Sequence, residues 1–333
     1  MPELTAKRPK RPSRMAPASA APGPASLRVL LAAPRGFCAG VRRAISAVTD
    51  AIDRHGPPVY VRRAIVHNMM VVRELEQLGA VFVQELGEVP DGGVVVLSAH
   101  GVPRSVIAEA ERRGLLYSNA VCPLVAKVHR EVVRHHREGR HVVLVGHAGH
   151  PEVSGTLGQL PAGAISVVAS VDDVRSLEPK QDAPLAYAVQ TTYSVDEAAE
   201  VIAALEARFA DLSGPAASDI CYATTNRQTA VKEIAPRVDA MIVAGEHFSS
   251  NASRLAEVAL AFGCPSVQLV PDASHVDWSL LARSRVLGIT AAASTPDGAV
   301  DGIIAALRDR FDISLEEVGH LRETVAFRPV KIA

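Results

Sequence analysis

Short apolar runs alternate with amphipathic segments along most of this chain. The first apolar run, LRVLLAA, begins at Leu27 and predicts a buried strand, and the segment after it places apolar residues three or four positions apart from Val41 to Ile52. That spacing predicts an amphipathic helix, and Gly56 is a typical helix end. Strands that alternate with helices in this way are typical of α/β proteins, whose parallel strands are joined by right-handed crossovers.

Polar residues gather where the predicted strands end. In open α/β sheets, ligands bind beyond the carboxyl ends of the strands, so we expect these residues to lie around one site. They are His67-Asn68, His100, Cys122, the segment GHAGHPEVSGT at 146–156, Gln190-Thr191-Thr192, Cys221, His247 to Asn251, and Ser294.

The spacing of these residues repeats three times. In each repeat a cysteine precedes a polar strand end by 28 or 29 residues, and a second polar strand end follows. This layout predicts three similar parallel-sheet α/β units with pseudo-threefold symmetry around a central cavity. The three sets are Cys38, His67 and His100; Cys122, His150 and Thr191; and Cys221, Ser249 and Ser294.

We divide the chain accordingly. The expected segments are a disordered Pro/Ala/Arg-rich tail at 1–26, unit one at 27–121, unit two at 122–217, unit three at 218–312 and a C-terminal extension at 313–333. The tail lacks the apolar periodicity needed to form a core. We expect it to be dispensable, or Met15 to be the true start.

Composition narrows the classes of function. Of the 333 residues, 48% are hydrophobic and 4% aromatic, and the formal net charge is −1. This charge provides no general positive field for nucleic acid or a membrane surface, and the apolar runs are far shorter than the roughly 20 residues that span a bilayer. We therefore expect a soluble cytoplasmic protein with no nucleic-acid or membrane partner. In the cytosol, the four cysteines of the chain either pack or do chemistry.

Three converging cysteines permit more than one kind of centre. The thiolates of Cys38, Cys122 and Cys221 could bind zinc with water as the fourth ligand, or hold an iron–sulfur cluster in which one iron lacks a cysteine. They could also be buried packing residues. Each stands beside turn or cap residues and opens a helix-like stretch, where the helix dipole favours a thiolate. Cys264 stands at no polar strand end, and we interpret it as packing.

The polar segments together resemble the LytB/IspH family of 4-hydroxy-3-methylbut-2-enyl diphosphate reductases. The matching motifs run in order from about Leu27 to Asp297. They are PRGFCAGV-RAI at 34–45, VHN at 66–68, SAHGV at 98–102, CPLV-KVH at 122–129, GHAGHPEV-GT-GQ at 146–159, QTT-S at 190–194, CYATTNRQ at 221–228, SSN at 249–251 and AS-PD at 293–297.

The resemblance implies a pseudo-threefold α/β oxidoreductase that carries one [4Fe–4S] cluster per chain on three cysteines. The implied reaction is the reductive dehydroxylation of the allylic alcohol diphosphate to isopentenyl and dimethylallyl diphosphates, the last step of the methylerythritol phosphate pathway of isoprenoid biosynthesis. The substrate hydroxyl would bind the iron that lacks a cysteine, and ferredoxin or flavodoxin would supply two electrons one at a time.

Matched motif by motif, the resemblance also implies roles for individual residues. The implied cluster ligands are Cys38, Cys122 and Cys221. The implied catalytic residues are Glu152, which would deliver the proton, Thr191, which would lie near the substrate hydroxyl, and His150, which would grip phosphate. The implied substrate-binding residues are His67, His100, His150, Thr191, Ser249, Ser250, Asn251 and Ser294.

Two positions depart from the family pattern. The residues before SSN read GEHF at 245–248, where small or polar residues are more usual, and Ala292 stands where a glycine is usual. Both departures could alter how the loops fit around the diphosphate.

Two rival functions remain open at this point. A zinc-dependent hydrolase of a phosphorylated metabolite would use the same cysteines and polar residues, and an iron–sulfur sensor or carrier would hold a cluster without turnover. Metal analysis and a turnover assay distinguish these alternatives from the reductase.

Overall fold

The computed structural model describes residues 26–178 and 184–333. Within them the chain forms three sheets of parallel strands covered by helices, so the predicted α/β class is confirmed. Of the predicted tail at 1–26, residues 1–25 lie outside the described residues, and Ser26 begins the first strand. No helix in these two ranges has the length and hydropathy of a membrane span.

The described residues contain thirteen strands, ten α-helices and four short 3₁₀ helices. The strands β1 to β13 are Ser26–Ala32, Val59–Arg62, Ala80–Val83, Val94–Leu97, Leu116–Asn119, His141–Val145, Ile165–Val168, Leu185–Val189, Leu212–Ser213, Ala240–Ala244, Val267–Val270, Val286–Ala291 and Asp312–Val318. The helices α1 to α10 are Ala39–His55, Met69–Gln77, Arg104–Arg112, Pro123–Arg137, Pro151–Leu157, Val171–Ser176, Val195–Arg208, Tyr222–Ile234, Ser250–Ala261 and Asp297–Arg308. The 3₁₀ helices are Leu86–Glu88, Ala235–Arg237, Ala273–His275 and Trp278–Leu281.

The three sheets share one strand order. Sheet I has the order β3-β2-β4-β5, and sheet II has the order β7-β6-β8-β9. Sheet III has the order β11-β10-β12-β1-β13, so β1 takes the place in it that β5 and β9 take in the other two. The first strand thus completes the third unit, which agrees with three similar units arranged around a common centre.

The predicted limits of unit one do not match this arrangement. The range 27–121 includes β1, but β1 pairs with β12 on one edge and β13 on the other, and both belong to sheet III. Leu27 and Val29 join one core cluster, and Leu30 and Ala32 join the cluster on the opposite face. A strand buried on both faces belongs in the interior of a parallel sheet. The order of strands along the chain does not identify which strands pair with it. The limits of the other units stay predictions.

The chain passes from one sheet to the next at three places, and a cysteine stands at each. After β1 in sheet III, Cys38 precedes α1, which packs Ala44 and Val48 against sheet I. After β5, Cys122 precedes α4, which packs on sheet II. After β9, Cys221 precedes α8, which packs on sheet III. Each fully buried Val- or Ile-sized side chain at these contacts contributes about 1.5–3 kcal/mol, so the apolar faces of the helices fix the three crossovers.

The C-terminal residues return from sheet III to sheet I. The predicted extension at 313–333 begins within β13, which forms the edge of sheet III. Farther on, Val330 is buried in the core of sheet I, and the Ala333 amide donates to Ser118 Oγ at 3.0 Å. The chain end therefore packs on the first unit.

A buried arginine connects this C-terminal segment to the first crossover. Arg227 in α8 has no exposed surface, and its guanidinium pairs with Glu323 at 2.8 Å. The same guanidinium donates to the Gly36 carbonyl at 2.6 and 3.1 Å. These bonds hold the loop before Cys38 against α8, which itself begins after Cys221.

Candidate active site

A cavity lies among the three crossovers, with walls from all three units. Every residue to which the sequence analysis gave a catalytic, binding or ligand role lies in the cavity lining, and those individual roles stay predictions. These residues are Cys38, His67, His100, Cys122, His150, Glu152, Thr191, Cys221, Ser249, Ser250, Asn251 and Ser294. Asn68, Gln190 and His247, which were also expected around the site, do not line the cavity.

The three cysteines each occupy the N-cap position of a helix. Cys38 Sγ accepts a hydrogen bond from the Val41 amide at 3.4 Å, and Cys221 Sγ accepts one from the Thr224 amide at 3.4 Å. Cys122 precedes α4, whose first residue is a proline. The positive end of a helix dipole lies at each thiol and favours the thiolate once a cation is present.

The backbone around the cysteines repeats one contact three times. In each unit the cysteine N–H donates to a carbonyl that follows a strand of the preceding sheet, at 2.9–3.2 Å. The three pairs are Cys38 with Ala293, Cys122 with Ala99 and Cys221 with Thr191. The residue after each acceptor therefore occupies an equivalent position in the three units, and these residues are Ser294, His100 and Thr192. The sequence analysis had matched Thr191 with His100 and Ser294, but the structural equivalent is Thr192.

The thiols of Cys122 and Cys221 are neutral at pH 7 without a metal. Burial raises the pKa of the Cys122 thiol to about 11 and the pKa of the Cys221 thiol to about 12. Loss of hydration of the thiolate is the main cause, and the nearby Cys38 thiol raises both pKa values further. A metal centre would therefore displace protons from these thiols when it binds.

The space between the thiols suits a cluster better than a single ion. A Cβ added to Gly40, in the first turn of α1, would meet Cys122 Sγ at 2.9 Å and Cys38 Sγ at 3.7 Å, so glycine keeps this space open. Among residues 26–178 and 184–333, no three His, Cys, Asp or Glu side chains converge closely enough to hold one metal ion. Three separate thiols around a shared cavity are a donor set that fits an iron–sulfur cluster.

Three histidines form one end of the cavity. The His67 and His100 rings stack with centroids 4.1 Å apart, and the His150 ring meets them edge-on at 5.5 and 6.0 Å. Desolvation lowers the pKa of His67 to about 4 and the pKa of His150 to about 3. Desolvation, with repulsion from the other two imidazoles, lowers the pKa of His100 well below its usual value. All three rings are therefore neutral at pH 7, and each offers one N–H donor.

Hydroxyl and amide groups of the third unit form another part of the wall. Ser249 is the N-cap of α9, and its Oγ lies 3.3 Å from Ser294 Oγ. Asn251 Oδ1 accepts the Ala293 amide at 2.9 Å, and Asn251 Nδ2 donates to Thr224 Oγ1 at 3.4 Å. These donors and the helix N-terminus behind them suit an anionic oxygen.

Ser250 links the third unit to the second. Its Oγ accepts a hydrogen bond from Thr192 Oγ1 at 3.2 Å and lies 3.4 Å from Gln190 Nε2. Gln190 Oε1 also accepts the His147 amide at 3.0 Å. One buried amide therefore positions the loops after β6 and β8. The sequence placed Gln190 at a strand end, but sequence reasoning gave it no role.

Glu152 and Thr191 form the carboxyl end of the cavity. The Glu152 side chain is 2% exposed, and it accepts the Thr191 amide at 2.7 Å and the Thr191 hydroxyl at 2.8 Å. Desolvation outweighs these two hydrogen bonds and raises the pKa of Glu152 to about 7. The carboxyl is therefore an acid that titrates near neutral pH, the range in which general acids work best.

Thr224 is a site residue that sequence reasoning missed. It is fully buried, its Oγ1 lies 3.2 Å from Cys221 Sγ, and it contacts Asn251. A signal was available, because Thr224 stands three residues after Cys221, the position whose amide an N-cap side chain binds.

The two departures from the family pattern occupy different places. The Phe248 ring meets the His67 ring edge-on at 5.8 Å, and Glu246 Oε1 accepts the Met69 amide at 3.1 Å. These contacts connect the third unit to the first beside the histidines. Ala292 is buried, and a Cβ on Gly245 would come within 3.2 Å of its methyl group. The glycine at 245 therefore leaves room for the alanine.

The chain is similar to known proteins over most of its length. The family model described as LytB protein matches residues 29–308. A 4-hydroxy-3-methylbut-2-enyl diphosphate reductase of Paracoccus denitrificans is 53% identical over 92% of this chain and 97% of its own length. The reductase of the same name from Hyphomonas neptunium is 52% identical over 91% of this chain and 96% of its own length.

A solved structure shares the fold. The E-1-hydroxy-2-methyl-but-2-enyl-4-diphosphate reductase from Plasmodium falciparum superposes with a TM-score of 0.85 at 33% identity. The match covers 92% of this chain and 96% of that chain. The three units found here are therefore those of a known enzyme architecture.

Proposed function

Since this chain belongs to the LytB family and is an oxidoreductase, we propose that its substrate is 4-hydroxy-3-methylbut-2-enyl diphosphate. Two electrons and two protons would convert this allylic alcohol to isopentenyl and dimethylallyl diphosphates and water, in isoprenoid biosynthesis. The observation that carries the proposal is the cavity, which joins three N-cap cysteines, three neutral histidines and one buried acid.

Cys38, Cys122 and Cys221 would hold one [4Fe–4S] cluster. When bound, the cluster would supply electrons one at a time and an iron that lacks a cysteine ligand. The three thiols must lose their protons to hold it, and the helix N-termini behind them stabilise the resulting thiolates.

The diphosphate would bind through neutral donors. No Lys or Arg of the described residues lines the cavity. Imidazole N–H groups of His67, His100 and His150, with the side chains of Ser249, Asn251 and the other polar residues of the wall, would donate to the phosphate oxygens. Backbone amides at the N-termini of α5 and α9 add partial positive charge.

Glu152 would deliver a proton to the leaving hydroxyl through Thr191. At neutral pH a large share of Glu152 is protonated, because its pKa is about 7. A protonated Glu152 Oε2 can donate to Thr191 Oγ1, 2.8 Å away. The threonine hydroxyl hydrogen is then free to point into the cavity. A proton beside the departing oxygen makes water, rather than hydroxide, the leaving group.

Ferredoxin or flavodoxin as the electron donor, and a cytoplasmic location, remain predictions. The zinc hydrolase is disfavoured, because the thiols do not converge on one ion within the described residues. The named relatives are enzymes, which disfavours a sensor or carrier without turnover.

Anaerobic purification tests the proposal. The protein should contain about four iron and about four acid-labile sulfide per chain and should convert the diphosphate with a strong small-molecule reductant. Cys38→Ser, Cys122→Ser and Cys221→Ser should each lose cluster and activity. Cys264→Ser is the matched control, since Cys264 is buried and donates to the Ser266 carbonyl at 3.2 Å. Zinc without sulfide would support the hydrolase, and a cluster without turnover would support a carrier.

A further inference from the structure

An arginine-lined groove lies on the outer surface beside the cavity wall. Its cationic residues are Arg104 at the start of α3 and Arg130, Arg134 and Arg137 on α4. All four side chains are exposed. The α4 arginines are four and three positions apart, which places them on one face of that helix.

The charge of this groove is only partly compensated by the protein. Among the described residues, none of the four arginines has a side-chain ion pair with a carboxylate, and the Arg134 guanidinium lies 3.2 Å from His135 Nε2. The one carboxylate in the lining, Glu138, lies 3.5 Å from His135 Nδ1. Burial lowers the pKa of His135, so this neighbour does not neutralise Glu138, and the carboxylate offsets part of the arginine charge. The chain as a whole has a formal net charge of −1, so four arginines beside one carboxylate are a local positive excess that attracts an acidic partner.

The floor of the groove is close to the cavity. His129 lines the groove, and its ring lies against Gly101, since a Cβ on Gly101 would meet His129 Cε1 at 2.6 Å. The residue before Gly101 is His100, which lines the cavity. The helix that bears three of the arginines also begins directly after Cys122, and Arg130 is about 12 Å along it from that cysteine, at about 1.5 Å per residue.

We infer that the groove formed by Arg104, Arg130, Arg134 and Arg137 is the docking surface for an acidic one-electron carrier protein that reduces the site. The inference rests on the proposed function, which needs two electrons per turnover. Each docked carrier would be oxidised by one electron, so two successive dockings supply the pair that cleaves the carbon–oxygen bond with two protons. Complexes of this kind are small, below about 1,200 Å² of buried surface, and depend strongly on ionic strength.

Charge reversal separates docking from chemistry. The variant Arg130→Glu/Arg137→Glu should lose at least about tenfold in kcat/KM for a reduced acidic ferredoxin at low salt, because electrostatic steering contributes that much or more. Turnover with dithionite-reduced methyl viologen should stay at the wild-type rate, since a small reductant needs no docking surface. Arg130→Gln/Arg137→Gln removes the two positive charges without adding negative ones, so it should give a smaller loss of kcat/KM. It shows whether the effect of the Glu variant comes from charge and not from misfolding. Arg283→Glu, at an exposed arginine in the turn before β12, is the matched control.

Two further measurements test whether the arginine groove binds the carrier protein. Raising the salt concentration should slow the wild type with ferredoxin and should affect the charge-reversed variant less. Binding of oxidised ferredoxin, measured by calorimetry, should weaken in parallel and tests the surface independently of turnover. Equal loss with both reductants, unchanged ferredoxin binding, or loss of RNA or inorganic phosphate binding in place of ferredoxin binding would overturn the inference. A wild type that is inactive with viologen while binding ferredoxin through these arginines would overturn the proposed function alone.

Discussion

The histidine end of the cavity and its carboxyl end are both desolvated, but burial moves their pKa values in opposite directions. At the histidine end, His67 and His150 have pKa values lowered to about 4 and about 3. At the carboxyl end, Glu152 has a pKa raised to about 7. The common cause is that burial disfavours charge of either sign. The histidines are therefore donors waiting for an anion, and the glutamate is an acid that keeps its proton.

The two ends also affect folding in different pH ranges. Below pH 6.5 the unfolded chain binds protons at histidines that stay neutral in the fold, so His67 and His150 lower stability as the pH falls toward 4. Between pH 4.5 and about 7 the unfolded chain ionises a carboxyl that the fold keeps protonated, so Glu152 lowers stability as the pH rises. The buried site groups therefore lower stability at both acidic and neutral pH, as expected of functional groups that are held buried.

Glu152→Gln should give the largest effect and tests the carboxyl end directly. Glutamine keeps the size and an acceptor for the Thr191 amide, but it removes the ionisable proton. Turnover should fall by about 100-fold or more, the usual scale for a positioned acid, while substrate affinity and cluster content persist. Single-turnover rates and calorimetric affinity measure the two separately. Wild-type turnover with weakened binding would contradict the role of Glu152.

The pH dependence of turnover should follow the same carboxyl. Because the free enzyme loses the Glu152 proton above pH about 7, kcat/KM should fall by about tenfold per pH unit beyond that value. The diphosphate adds negative charge, which raises the pKa of Glu152 in the complex, so the fall in kcat should begin at higher pH. Rates measured with viologen as the reductant between pH 6 and pH 9 give the fall of kcat/KM and the fall of kcat separately. If the Glu152→Gln variant shows the same decrease in rate with rising pH, the titration belongs to another group.

Local signals explain how much of this site was predictable. The helix from Ala39 to His55 and the cysteines at helix starts follow from apolar spacing and cap residues, which act over a few positions. The place of β1 was not predictable in the same way, since Arg28 pairs with Val286 across most of the chain. The same holds for the buried pair of Arg227 and Glu323, which joins residues that no local pattern relates.

The cavity was predictable in part, unlike the local helix signals, which were predictable, and the distant pairings, which were not. Most of its polar residues were identified because they follow strands, and parallel strands present their carboxyl ends to one edge. The hydrogen bonds between units, such as Gln190 to Ser250 and Thr192 to Ser250, depend on how the sheets meet. Sequence periodicity predicts individual strands and helices but not the angles between sheets, so these contacts required the structure.

His100→Ala tests the histidine end and should have a smaller effect than the loss of Glu152. It removes one donor to a charged oxygen, and such hydrogen bonds contribute about 1.5–3 kcal/mol. Affinity for the diphosphate should fall by about tenfold or more, while turnover at saturation changes little. His275→Ala is the control, since His275 is exposed and pairs with Asp272. A fall in saturated turnover with unchanged affinity would move His100 to the chemical step.

Phe248→Ala should have the smallest effect and asks how far the histidine end extends. The Phe248 ring meets the His67 ring edge-on at 5.8 Å and is 49% exposed. Aromatic pairs contribute about 0.5–1.5 kcal/mol, and exposure places this pair at the low end. Substrate affinity should therefore fall about two- to threefold, because His67 loses a neighbour that restrains its ring, and turnover should stay constant. Phe262→Ala is the matched control, since that phenylalanine is also exposed and contacts Lys232 at 4.8 Å instead of the cavity. Equal affinity losses in both variants would mean that the contact with His67 has no role in binding. The histidine end would then consist of the three imidazoles without Phe248.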